Sequence, residues 1–179
     1  FDTVINRWLI REGGLDIHSG DVIGVCAESH CTYRDGLAFP EDVEAASRDV
    51  AKRVHEGMLV ILESTTYPGT TDEVVLPMLE KSGLKVGKDF FLAFSPERVD
   101  PGNPKYGVKN TPKVVGGYTA ECTAMAALLY SKCVDRVFPV TGTAAAEMVK
   151  LLENTFRSVN IGLVNEVAIM CEKLKLDVW

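Results

Sequence analysis

Three short stretches of this chain combine residue types and spacings that could do chemistry. The first is Glu63-Ser64-Thr65-Thr66-Tyr67-Pro68-Gly69-Thr70-Thr71. It follows an apolar run and leads into a helical pattern. Its hydroxyls and a helix N-terminus suit contact with a phosphate, a ribose or a carboxamide. The same residues also serve as ordinary helix caps. The second stretch is Ser95-Pro96-Glu97-Arg98-Val99-Asp100-Pro101-Gly102-Asn103. Two prolines restrict the backbone around Glu97 and Arg98. Arg98 offers several donors to an anionic or sugar ligand; a Glu–Arg pair in a stiff surface turn is the other reading. The third is Lys150 and Asn154, four residues apart and hence on one helix face. Met148, Leu151, Leu152 and Phe156 around them are apolar, as on a helix that faces a cleft. There an ammonium could stabilise a developing oxyanion, and an amide could hold a water or hydroxyl. A solvated face is the usual fate of lysine and is the alternative.

These residues need elements to hold them. Residues 21–27 form a short apolar run suited to a strand buried on both faces. Residues 58–63, 90–94, 113–117 and 136–140 read as four further strands. A helix opens at Pro40-Glu41-Asp42, with acids in its first turn, and ends near Gly57. A second starts near Thr70 and stops at Gly83, with Val74, Val75, Met78 and Leu79 at helical spacing. A third spans residues 119–132, with Ala124, Ala127, Leu128 and Tyr130 on its apolar side. Residues 143 to about 176 form a helix longer than most. Strands alternating with helices predict an α/β fold with a mostly parallel sheet. In such sheets function collects in loops at the carboxyl ends of the strands, where the first two stretches lie.

Composition narrows the classes. The 179 residues are 46% hydrophobic and 25% charged, which fits a globular domain and not a disordered or low-complexity one. A net charge of -6 argues against nucleic acid as a partner. No apolar run nears the roughly 18 residues needed to span a membrane. The chain starts at Phe1 without a signal-peptide pattern, ends at Trp179, and reads as cut at both ends. Five cysteines, Cys26, Cys31, Cys122, Cys133 and Cys171, make no Cys-x-x-Cys pair and no metal-ligand pattern. They read as reduced thiols of a cytoplasmic protein, most of them small core residues. No Gly-x-Gly-x-x-Gly, phosphate-loop or nucleophile-elbow motif occurs.

Four stretches in order resemble the UDP-glucose/GDP-mannose dehydrogenase family of nucleotide-sugar 6-dehydrogenases: residues 62–71, 94–103, 111–117 and 146–156, the last continuing over 160–166. The resemblance covers about residues 58–179, and its Tyr-Pro-Gly and Asp-Pro-Gly variants look most like the branch acting on UDP-N-acetylhexosamines, UDP-N-acetylglucosamine above all. It implies a partial Rossmann-like parallel sheet followed by a long helix that opens a central helical dimerisation domain. The expected division is residues 1–140, the C-terminal part of an NAD-binding domain, and 141–179, the start of the central domain. NAD is the implied cofactor, a UDP-sugar the implied substrate, and a homodimer or higher oligomer the implied assembly. The implied reaction oxidises the sugar C6 hydroxyl to a uronate by two hydride transfers through a cysteine thioester.

The resemblance also implies roles for single residues. Thr65 matches the threonine near the nicotinamide, which helps order water. Glu97 matches the glutamate that opens the substrate loop, and Arg98, Val99 and Asp100 line the sugar. Lys150 matches the lysine that stabilises the oxyanion, with Asn154 beside it. Two departures stand out. Many relatives have a second glutamate where this chain has Pro101. Residues 27–39 lack the expected Val-Pro-Thr-Pro stretch, and Ser29 stands near the place of a cofactor-contacting threonine. None of the five cysteines sits in the Gly-Gly-x-Cys context of the nucleophile, and the glycine-rich cofactor loop is absent. The isolated chain is therefore expected to be an inactive internal fragment. Rival readings are a dehydrogenase for UDP-N-acetylmannosamine, UDP-glucose or GDP-mannose, or a non-catalytic dimerisation module built on the long helix.

Overall fold

The computed structural model describes residues 22–25, 40–98 and 104–179. Val99, Asp100 and Pro101 lie outside the described residues, as do Ser29, Cys26 and Cys31.

Five strands form one sheet in the order β1 (Val22–Val25), β2 (Leu59–Leu62), β3 (Phe91–Phe94), β4 (Lys113–Gly117) and β5 (Val137–Pro139). The β1–β2, β2–β3 and β4–β5 pairs are parallel. The β3–β4 pair is antiparallel, with Ala93 opposite Gly117 and Phe94 opposite Gly116. The sheet is thus mostly parallel, as expected. A single reversal brings the start of β4 to the edge where β2 and β3 end.

Side chains alternate across the sheet and both faces are covered. On one face Val60, Leu62, Leu92, Phe94 and Val114 form a buried cluster. It includes residues of helix α1 (Pro40–Ala51) and of the helical segment α2 (residues 71–82). On the other face Leu59, Ile61, Ala93 and Val115 pack with Ala126 of helix α3 (Ala120–Tyr130). β2 is buried along its whole length, which explains its unbroken Leu-Val-Ile-Leu sequence.

Segment α2 is less regular than its sequence pattern. It runs as a π-turn over Thr71–Val75, an α-turn over Leu76–Leu79 and a 3₁₀ turn over Glu80–Ser82. Gly83 ends it with φ of 88°, a left-handed conformation that glycine adopts without a Cβ penalty.

Helix α3 corrects an expectation. Cys122 and Ala126 form its buried face, while Ala124 and Leu128 are exposed. Nearly every residue of this helix is apolar, so periodicity alone does not pick a side. The packing does: a Cβ on Gly117 would lie 2.7 Å from the Cys122 Cβ, so β4 and α3 touch at these two residues. Among the described residues the cysteines are not all in the core. Cys122 is buried, Cys133 is exposed and Cys171 is half-buried.

The long helix α4 (Thr143–Leu174) ends at Lys175 in a left-handed cap. Only its first turns enter the core: Thr143, Ala146 and Glu147 are buried, and Val149 packs against the main cluster. The apolar residues beside Lys150 do not form a core-like stripe. Met148, Leu151, Leu152 and Phe156 are all exposed.

Candidate functional site

The carboxyl ends of β2 and β3 open into the loops that hold Thr65 and Glu97, and α4 crosses the same edge. Ser95 begins the second loop: its backbone N–H donates to Leu62 O at 3.0 Å and its buried hydroxyl to Val114 O at 2.8 Å. These bonds fix where the chain leaves the sheet. Glu97 follows two residues later, with its side chain about half exposed.

Helix α4 meets this loop through two contacts. Lys150 Nζ donates to the Glu97 carbonyl oxygen at 2.7 Å. Arg98 reaches Glu153 one turn on, with Nε to Oε2 at 3.1 Å and Nη2 to Oε1 at 2.5 Å. Its Nη1 donates to Pro112 O at 3.0 Å. The Arg98 guanidinium therefore pairs with α4 and not with its neighbour Glu97. Two-point pairing gives it a fixed orientation. Partial burial lowers the Lys150 pKa, with the Glu153 and Glu97 carboxylates opposing that and Arg157 and Arg98 adding to it. Asn154 lies on the same face of α4, half-buried.

Thr65 is on the neighbouring loop, half-buried, and forms no hydrogen bond to the Glu97–Lys150 group among the described residues. Beside it, Thr66 is buried and its Oγ1 has no partner among the described residues. A buried hydroxyl without a partner is costly. Its position at the carboxyl end of a parallel strand is where a dinucleotide sits in this class of sheet. The hydroxyl-bearing residues of this loop, half-buried Thr65 among them, are of a kind that fits a bound NAD.

The structure revises one idea about that loop. The N-terminus of α2 does not offer its backbone donors to a phosphate. Glu147 of α4, fully buried, fills it: Oε2 accepts from Gly69 N at 2.6 Å. Oε1 accepts from Thr71 N at 2.9 Å and from Thr71 Oγ1 at 2.7 Å. Thr143 Oγ1 adds a bond to Asp72 Oδ1 at 2.7 Å. The helix bearing Lys150 is thereby fastened to the loop bearing Thr65.

Sequence reasoning also missed Lys113. Because β4 runs antiparallel to β3, this first residue of β4 lies beside Glu97. Its side chain is about 10% exposed, and its Nζ sits 3.0 Å from Glu63 Oε1 and 3.3 Å from Glu97 Oε2. Nothing in the local pattern marks either Glu147 or Lys113, since their partners are remote in sequence. Among the described residues no group of three metal-binding side chains exists, and no helix is long and apolar enough to cross a membrane.

A largely parallel sheet with helices on both faces and polar groups gathered at its carboxyl edge defines a Rossmann-like, nucleotide-binding class of protein. Residues 15–134 match the NAD binding domain of the UDP-glucose/GDP-mannose dehydrogenase family, and residues 144–179 match its central domain. The chain belongs to the UDP-glucose/GDP-mannose dehydrogenase family. It is 45% identical over 134 residues to protein CapL of Staphylococcus aureus, covering 74% of this chain and 32% of that one. It is 40% identical to the UDP-N-acetyl-D-glucosamine 6-dehydrogenase of Pseudomonas aeruginosa, with the same coverage. Among solved structures, the UDP-D-ManNAc dehydrogenase of Pyrococcus horikoshii superimposes with a TM-score of 0.69 at 42% identity, over 74% of this chain and 32% of that chain. The chain thus spans about a third of the length of these relatives.

Proposed function

We propose that the whole protein carries out NAD-dependent oxidation of the C6 hydroxyl of a UDP-N-acetylhexosamine to the uronate, with UDP-N-acetylglucosamine as substrate. The observation that carries this reading is the contact between Lys150 Nζ and the Glu97 backbone, which joins the β3 loop to α4 at the carboxyl edge of the sheet. NAD supplies the hydride acceptor when bound. In this chain Thr65 lies near the nicotinamide and helps order water. The Lys150 ammonium stabilises charge on the sugar oxygen as its proton leaves, and Asn154 holds the hydroxyl or water beside it. Glu97 serves the hydrolytic step that ends the reaction, and Arg98, Val99 and Asp100 line the sugar. Residues 1–140 belong to the cofactor domain and 141–179 begin a central domain that makes a homodimer, in the cytoplasm. None of the five cysteines here is the nucleophile and the chain has no glycine-rich cofactor loop, so the isolated 179 residues are expected to form no NADH.

The experiment is a substrate panel with the full-length protein, following NADH formation with UDP-N-acetylglucosamine, UDP-N-acetylmannosamine, UDP-glucose and GDP-mannose. The highest kcat/KM is expected for UDP-N-acetylglucosamine. A higher value for UDP-N-acetylmannosamine would reassign the substrate, and no NADH from any of the four would overturn the enzymatic reading. NADH formed by the isolated chain would overturn its predicted inactivity.

A further inference from the structure

Buried lysines are rare, and Lys113 is buried at the edge of the candidate site. Its ammonium lies between two carboxylates of different character. Glu63, at the end of β2, is itself about 10% exposed and 3.0 Å away. Glu97 is 3.3 Å away on the loop side, and about half exposed. The Nζ also sits 5.1 Å from the centroid of the Tyr130 ring, within range of a cation–π contact. Tyr130 closes the group from α3, donating its hydroxyl to Glu63 Oε1 at 2.5 Å. Every partner of the ammonium thus comes from a different element: β2, the β3 loop and α3.

We propose that Lys113 is a positioning residue for Glu97, holding its carboxylate ionised and pointed along the sheet edge, with Glu63 and Tyr130 fixing the lysine. The proposal rests on the role given to Glu97 above. Left alone, a half-exposed glutamate would sample several rotamers. Here one carboxylate oxygen accepts from the Arg98 backbone N–H at 2.7 Å, and the other faces Lys113. The two contacts pin both oxygens. Among the described residues, Lys150 of α4 reaches the Glu97 backbone, and the charges acting on Lys150 in turn are Glu153, Arg157, Glu97 and Arg98. Arg98 is paired with Glu153 and Lys150 reaches the Glu97 backbone, while among the described residues Lys113 reaches the carboxylate itself.

Glu63 tunes the arrangement. It shares the Lys113 charge, and its removal would leave the ammonium facing Glu97 alone. A purely structural ion pair would make loss of either partner destabilising without moving the ionisation of Glu97 in opposite directions. The positioning role does move it so, and that difference gives the test.

The test uses the full-length protein and the pH dependence of kcat, which includes the hydrolytic step, with thermal melting as a check on folding. Glu97→Gln should abolish the acid limb that reports this carboxylate. Lys113→Met should shift that limb upward by about half a unit to one unit, since a nearby cation favours the carboxylate. Lys113→Arg should restore it, and Glu63→Gln should shift it downward. A broken buried pair leaves an uncompensated charge; if thermal melting shows Lys113→Met unfolded, Lys113→Arg and Glu63→Gln decide. A limb that Glu97→Gln removes but that Glu63→Gln and the Lys113 variants leave in place overturns the positioning role and spares the role of Glu97. A limb untouched by Glu97→Gln overturns both.

Discussion

Lys150 shows how one side chain can be placed for chemistry and carry a cost for it. Its ammonium is held on the Glu97 carbonyl while partial burial lowers its pKa. In the full-length enzyme Lys150→Ala should lower kcat by about 10²–10³-fold, as removal of an oxyanion donor does, and change KM far less. Steady-state kinetics with saturating NAD will check this, and unchanged turnover would remove Lys150 from the reaction. The sign of its pH dependence follows from the same burial. On the proposed role the charged form is the useful one, so activity should be full below the lowered pKa and fall as pH rises through it, before the ordinary lysine range is reached. Lys150→Arg keeps its charge to higher pH and should lose this alkaline limb. Tyr130 gives a second titration. Burial, followed by the nearby Glu63 carboxylate, raises its pKa from the model-peptide value of 10.0. Its phenol should stay protonated where exposed tyrosines ionise. The unfolded chain releases that proton near pH 10, so the contribution of Tyr130 to stability is whole below that pH and declines above it. Ultraviolet titration of wild type against Tyr130→Phe should show no loss of a normal phenolate step; such a loss would mean the hydroxyl is accessible.

At the scale of elements, the joint between α4 and α2 is a single carboxylate. Glu147→Ala strips partners from the buried Gly69 and Thr71 N–H groups. Buried hydrogen bonds to charged groups carry about 1.5–3 kcal/mol each, so a loss of several kcal/mol is expected. Thermal unfolding of the full-length variant would read this as a Tm lower by roughly 5–10 °C, at about 2–4 °C per kcal/mol for a domain of this size. A change under one degree would mean the cap is dispensable. Gly116 argues the complementary case, where space rather than charge decides. A Cβ there would lie 2.0 Å from the Gly142 carbonyl oxygen, so β4 and the turn into α4 touch backbone to backbone. Gly116→Ala should cost about 1–3 kcal/mol or more and reduce the yield of folded protein. This contact gives a physical reason for the Gly-Gly at the end of β4, which the sequence shows only as a motif. The spacing of Lys150 and Asn154 was legible because both lie on one helix. The buried strands were legible because β2 is apolar on both faces. Glu147 and Lys113 were not, since their partners lie 76 and 78 residues away for Glu147 and on another strand and loop for Lys113. The buried side of α3 was not legible either, because apolar residues surround that helix.

For the whole molecule, the decisive feature is how little of α4 the described residues cover. Beyond Val149 the helix runs for about seven more turns, with Phe156, Val159, Leu163, Val167, Met170 and Leu174 all exposed. These six recur at three- and four-residue spacing and fall on one stripe. An apolar stripe of that length marks an interface and not a solvent face. Helices this long owe most of their stability in proteins to packing of such a face, and propensity alone is marginal. Residues 144–179 match the family's central domain, so the expected cover is the rest of such a domain in the full-length protein. The prediction is a contrast in amide exchange. In the isolated 179-residue chain, residues 156–174 should exchange faster than the strands β2 and β3, since their bonds open without disturbing the core. In the full-length protein the same amides should be protected by about tenfold or more, as opening them would require separating a packed interface. Hydrogen exchange read by mass spectrometry on both proteins would settle it. Equal, slow exchange in the two would mean that α4 is held by contacts within this chain, and the stripe would then need another explanation than a partner surface.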